Sequence, residues 1–136
     1  MAKARPRPYS QFNFLVDFGT KHGPHAGFQE LSQIEKITGI NKATDVIMKR
    51  GVVSASTLKD WLDEIRKKPK RAHRKVKITL QDERHYAAQT WTLFDSLITK
   101  SVGPPLNGKA NDVAIEELVL TCERIEVKSP TKAKDD

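Results

Sequence analysis

Eight cations crowd one short stretch of this chain with no acidic residue between them: Arg66, Lys67, Lys68, Lys70, Arg71, Arg74, Lys75 and Lys77. A run of this kind has two ordinary uses. It is a solvated turn between two elements, or it is a patch that meets carboxylates or phosphates. No Phe, Tyr or Trp is interleaved with it, so it offers nothing for a base to stack on and is not a nucleic-acid motif in itself.

Other residue types that do chemistry are present without the spacing that chemistry requires. His22, His25, His73 and His85 are scattered and form no HExxH-type metal pattern. Asp63–Glu64, Asp82–Glu83 and Glu116–Glu117 are sequence neighbours. On a strand such pairs point to opposite faces and cannot share a substrate. Gly103 and Gly108 bracket two prolines and are not followed by the Lys-Ser or Lys-Thr of a phosphate loop. Cys122 stands alone, which excludes an internal disulfide and a cysteine zinc site. The expectation is a protein that is not an enzyme and needs no cofactor or metal.

The elements that position the basic run are legible around it. Leu58, Trp61, Leu62 and Ile65 fall at i, i+3, i+4 and i+7, one face of an α-helix over about 56–67, with Ser56 as its N-cap and Pro69 ending it. After the run, Val76, Ile78 and Leu80 alternate with Lys75, Lys77 and Thr79, the period of a half-buried strand. Gln11–Phe18 is the clearest strand, with Phe12, Phe14, Val16 and Phe18 in one phase, and Gly19–Gly23 is a turn. Strand character returns at 27–34 and 46–53, separated by a loop over 35–45. Gln81–Ala88 reads as a hairpin turn and Thr90–Ile98 as a strand with a slip in its alternation. Ser101–Asn111 is a loop by composition. A long strand covers Asp112–Val127; its apolar phase changes at Glu116–Glu117, which calls for a bulge or a passage between sheets.

The sum is about seven strands and one helix. The fold expected is mainly β, a sandwich or barrel of two antiparallel sheets, with the helix packed on it and its four apolar residues in the core. Residues 1–10 form a basic arm, 11–127 the β-domain and 128–136 a flexible polar tail. At 136 residues and a net charge of +7, this is one domain with an appetite for acidic partners. No apolar run reaches the length of a membrane span, and the N-terminus lacks a signal-peptide core, so synthesis and folding in the cytoplasm are expected. From charge alone, a basic nucleic-acid-binding β-domain is the competing reading.

The order of segments carries more than any one of them. YSQFNFLVDFG, AGFQELSQI, MKRGVVSASTLKDWL, KVKITLQDE, WTLFDSLITKSVGPPLN and VAIEELVLTCERIEV, in that order, resemble the contractile-tail tube proteins of phages, R-type pyocins and extracellular contractile injection systems. The resemblance runs from about Tyr9 to Val127. It implies packed antiparallel sheets with one helix, six-membered rings that stack into a hollow tube, and a surrounding sheath whose contraction drives the tube through an envelope. The implied partners are other copies of the chain, sheath, and baseplate or spike proteins, with an effector or DNA as cargo in the lumen. Assembly in the bacterial cytoplasm into a virion tail or a released particle follows. Many members carry a longer Gly-rich excursion before the Lys49-Arg50-Gly51 turn; here the segment is short, with Thr38, Gly39, Ile40, Asn41 and Lys42 as the candidate inter-subunit loop. That departure keeps a tube initiator at the baseplate as an alternative. On this resemblance, the run from Arg66 to Lys77 faces either an acidic sheath outside the tube or cargo within it, and its start at a helix end favours the outside.

Overall fold

Seven strands and one helix account for most of the computed structural model, which describes residues 12–19, 24–32, 43–82, 84, 87–103 and 112–128. The strands are β1 (Phe14–Asp17), β2 (Ala26–Ser32), β3 (Thr44–Ser54), β4 (Arg74–Gln81), β5 (Ala87–Val102), β6 (Asp112–Cys122) and β7 (Arg124–Lys128); helix α1 spans Ala55–Lys67. They form one antiparallel sheet in the order β4-β1-β2-β3-β6-β5-β7, and an additional β4–β5 pairing closes the first six into a barrel. The two layers expected from the sequence are opposite walls of this single closed sheet. Closure leaves β7 as an edge strand, paired to β5 on one side. Lys128, placed in the tail by its polarity, is the last residue of β7.

The apolar alternation does what it should. Phe12, Phe14, Val16 and Phe18 are buried, and so are Val76 and Ile78 on the neighbouring β4. The walls enclose Phe28, Met48, Trp91, Leu93, Leu118, Leu120 and Ile125. At ~25 cal/mol per Å² of apolar surface, each of these large side chains contributes about 1.5–3 kcal/mol.

Alternation breaks where the sheet turns corners. Gln29 and Glu30 on β2 are both exposed, and so are Lys49 and Arg50 on β3. On β6 the exposed Glu116 is followed by the half-buried Glu117. On either side of each pair the buried phase resumes on the other parity. The pairs lie level with one another: Glu30 opposes Lys49, and Lys49 opposes Glu117. The register between β3 and β6 is unbroken from Thr44↔Cys122 to Ser54↔Asp112. The phase change at Glu116–Glu117 is therefore a bend shared by three strands. Arg50 takes a left-handed φ of 56° at this bend. Gly51 beside it is obligatory, because a Cβ there would sit 2.2 Å from the Gly27 carbonyl oxygen and 2.4 Å from the Phe28 ring.

A second corner explains the slip in β5. Trp91 and Leu93 are buried in one phase and Ser96 and Ile98 in the other, with Asp95 at φ 56° between them. The opposing strand is interrupted at Glu123, whose N–H donates to the Phe94 carbonyl at 2.9 Å. The long final strand is thus β6 and β7 in sequence, and β7 resumes along β5 on the same register: Leu97↔Thr121 before the break, Phe94↔Arg124 after it.

The helix begins earlier than its sequence signal. Ser54 is the N-cap residue and Ser56 is already helical, so Ser56 does not cap. Pairing of Ser54 with Asp112, and a bond from the Ser54 N–H to the His25 carbonyl at 2.8 Å, hold the chain extended through residue 54. The helix starts as soon as that hold ends. No side chain caps it, although the Ser54 and Thr57 hydroxyls share a hydrogen bond of 3.2 Å.

Candidate functional site

Helix α1 lies on the barrel with Ala55, Leu58 and Trp61 buried, and with Leu62 and Ile65 partly buried against the same core. All four members of the expected apolar face thus point inward. Trp61 packs on Phe18 with ring centroids 5.4 Å apart. Its indole Nε1–H donates to the Ala72 carbonyl at 2.8 Å. That bond ties the middle of α1 to the residue after a single 3₁₀ turn, Pro69–Arg71, which Pro69 opens. Backbone bonds Lys68 N–H to Glu64, Arg71 N–H to Lys68 and Ala72 N–H to Pro69 complete the connection.

Within this frame the eight cations separate into three groups. Arg74 turns inward. Its guanidinium lies 5.1 Å from the Trp61 ring, donates to Glu64 at 3.2 Å and reaches the Phe18 carbonyl at 3.4 Å. Its side chain is 17% exposed, so it braces the helix and offers little charge to a partner. Lys75 and Lys77 stand on the outer face of β4, exposed. Lys75 lies 5.7 Å from the Phe94 ring, which Arg124 covers from 3.9 Å. The third group, Arg66, Lys67, Lys68, Lys70 and Arg71, forms a ridge along the end of α1 and the 3₁₀ turn, all exposed.

The acids nearest the ridge are already engaged. Asp63 accepts from Lys59 at 3.0 Å and from Arg66 at 3.2 Å. The Lys59 hydrogen bond, aided by the charges of Lys59, Arg66 and Lys67, holds its carboxyl below the ordinary carboxylate value, with burial opposing. Glu64 belongs to Arg74. Lys67, Lys68, Lys70 and Arg71 have no ion pair among the described residues. The negative end of the α1 dipole favours cations there, but only within the last turn.

The candidate inter-subunit loop Thr38, Gly39, Ile40, Asn41 and Lys42, and the basic arm at residues 1–10, lie outside the described residues. Two features escaped the sequence reading. His25, one scattered histidine among four, is buried: its ring stacks on Phe18 at 6.0 Å and Nδ1 accepts the Phe18 N–H at 3.1 Å. The first corner opens into a groove of about 700 Å³ lined by Glu30, Lys49, Arg50, Val102, Glu116 and Glu117. Its charges largely cancel through Arg50–Glu30 and Lys100–Glu117 pairs. No group of three or more His, Cys, Asp or Glu side chains among the described residues is placed to hold a metal. No helix among them is long and apolar enough to cross a membrane.

A family model described as the T4-like virus tail tube protein gp19 matches residues 32–126, more than two-thirds of the chain. The chain belongs to this tail tube family. No curated protein matches it. Solved structures share its fold nearly end to end. A chain of an extracellular contractile injection system, the PVC sheath–tube complex in the extended state, superposes with a TM-score of 0.55 at 17% identity over 91% of this chain and 93% of that one. A chain of the six-fold symmetrised anti-feeding prophage baseplate gives 0.55 at 20% identity over 95% and 98%. A chain of the anti-feeding prophage cap, which terminates the tube, gives 0.52 at 14% identity over 96% and 95%. At these identities the likeness is one of fold. Membership in the tail tube family rests on the family match over residues 32–126.

Proposed function

We propose that this chain is the repeating subunit of the inner tube of a contractile tail or injection system, forming six-membered rings that stack into a hollow conduit inside a sheath. The observation that carries the reading is tail tube membership across residues 32–126. The end-to-end likeness to a chain of a sheath–tube complex and to one of a six-fold symmetrised baseplate supports it. The geometry agrees with assembly by edges: β7 presents an outer edge that no described strand covers. A head-to-tail contact that closes makes a ring, and a contact along the axis that does not close makes a tube. Sheath and baseplate are the partners, the lumen carries an effector or DNA, and the particle is assembled in the bacterial cytoplasm. The role is mechanical, with no reaction catalysed.

A tube initiator at the baseplate is the second reading, favoured by the 20% identity to the baseplate chain. Negative-stain electron microscopy of the purified protein at low and moderate salt separates the two. The repeating subunit forms rings or stacked tubes with a central hole on its own. An initiator stays dispersed until a baseplate template is supplied, and dispersed protein at high concentration overturns the first reading.

A further inference from the structure

We infer that His25 is a proton-operated latch: on protonation its ring exchanges a backbone partner for the Asp17 carboxylate, and the exchange loosens the seat of helix α1. The inference stands on the barrel alone and does not depend on the tube reading. The His25 side chain is 8% exposed, and one partner fixes its state. Nδ1 lies 3.1 Å from the Phe18 backbone nitrogen, whose N–H can only donate. Nδ1 is therefore an acceptor, and the ring is the neutral imidazole with its proton on Nε2. A proton added at Nδ1 sets two donors against each other and breaks this bond.

A replacement is already in place. Asp17 Oδ1 lies 3.7 Å from Nδ1, too far for a hydrogen bond now but close enough to take one after a small side-chain rotation. In the neutral state that oxygen accepts the Gly19 N–H at 2.8 Å. The Phe18 ring lies parallel to the imidazole with centroids 6.0 Å apart, at the limit where a ring face attracts a cation. The neutral form thus has the Phe18 N–H, and the charged form has a carboxylate and a ring face. A buried histidine with partners for both forms is a two-state element. One with partners for the neutral form alone is simply a site of acid unfolding. The His25 backbone is clamped in either case, its N–H on the Val16 carbonyl and its carbonyl on the Ser54 N–H, both at 2.8 Å. The exchange is therefore made by the ring and by residues 17–19.

Phe18 carries the change to the helix. Its ring packs on Trp61 at 5.4 Å, and its carbonyl accepts from Arg74 at 3.4 Å. Arg74 in turn lies 5.1 Å from the Trp61 ring and pairs with Glu64 on α1. Releasing the Phe18 N–H frees the residue against which Trp61 and Arg74 both rest. The charged groups that meet this stack are Asp17 on β1, Arg74 on β4 and, through Arg74, Glu64 on α1. From β3 it is met by the backbone of the uncharged Ser54.

The test is a nitrogen-15 NMR titration of the whole chain from about pH 8 to about pH 5, the range over which imidazoles change charge. His25→Asn and Asp17→Asn are titrated beside the wild type. Asparagine at 25 keeps an acceptor oxygen for the Phe18 N–H and does not titrate; asparagine at 17 keeps an acceptor for the Gly19 N–H and removes the charge. In the wild type, acidification is expected to cost the Phe18 amide at least about tenfold of its protection against hydrogen exchange, and the Trp61 indole resonance moves with the same midpoint. Neither responds in His25→Asn, and in Asp17→Asn the midpoint falls by about half a pH unit or more. A Phe18 amide that stays protected overturns the proposal, as does an equal response in His25→Asn or an unmoved midpoint in Asp17→Asn. Loss of the circular dichroism signal over the same range also overturns it, because that is acid unfolding. Should His25→Asn fail to fold, the Asp17→Asn comparison decides. A Trp61 indole that stays still while the Phe18 amide responds overturns the coupling to α1.

Discussion

Trp61 and Trp91 are both buried, yet their indole N–H groups have opposite fates. Trp61 donates to Ala72, whereas Trp91 Nε1 has no acceptor among the described residues. Replacing Trp61 by Phe leaves a buried carbonyl unpaired and weakens the Arg74 contact; replacing Trp91 by Phe removes a donor that had nothing to lose. We expect Trp61→Phe to cost about 1–2 kcal/mol more than Trp91→Phe in urea unfolding. Equal losses would show that volume alone matters at both sites. Cys122 gives a second residue-scale prediction. Burial, with smaller contributions from Asp45 and Glu123, pushes its thiol from an ordinary 9.0 up to about 11. The folded protein should therefore react with a thiol reagent at pH 8 at least about 100-fold more slowly than the unfolded chain. The raised value also links to stability. Below pH 9 the thiol is protonated in both states. Between 9 and about 11 only the unfolded state gives up its proton, so stability falls as pH rises through that window. A urea midpoint that does not move between pH 8.5 and 10.5 in the wild type relative to Cys122→Ala would contradict this.

At the scale of elements, the corners decide the architecture, and they were only half legible. Side-chain period reveals a strand, so Phe12–Phe18 and Val76–Leu80 could be read directly. A parity switch reveals that something bends. The sequence gives no sign that the switches at Gln29–Glu30, Lys49–Arg50 and Glu116–Glu117 lie side by side, because that depends on register between distant strands. The β4–β5 closure was hidden for the same reason. Ser56 and Arg74 show a different limit: capping propensity yields to a tertiary hold on Ser54, and guanidinium chemistry suits solvent and an indole face equally. The corner yields its own prediction. Gly51→Ala drives a methyl into the Gly27 carbonyl and the Phe28 ring, at the point where Arg50 is left-handed. We expect a loss of about 1–3 kcal/mol or more, read from the urea midpoint. A neutral result would mean that the walls separate freely at the corner.

For the whole molecule, net charge and assembly pull against each other. In the proposed ring, six copies of a chain carrying +7 would repel one another, and the repulsion falls as the screening length shortens to ~10 Å at 0.1 M salt. Contacts between strand edges are not weakened in this way. Ring formation on that reading, followed by sedimentation velocity, should therefore increase from low to moderate salt. Rings that dissolve as salt rises would place ion pairs, and not edges, at the subunit contact.

The closed barrel also constrains when the chain can fold. Thr44 meets Cys122 across 78 residues, and Phe12 meets Gln81 across 69. Contacts so distant in sequence form slowly, because long loops must close before any pairing repays their entropy. β6 completes the wall that β3 begins, and β7 then lies on β5, so the barrel closes only when nearly the whole chain has been synthesised. On the proposed tube reading, growth would therefore draw on finished, separately folded monomers and not on chains still being made.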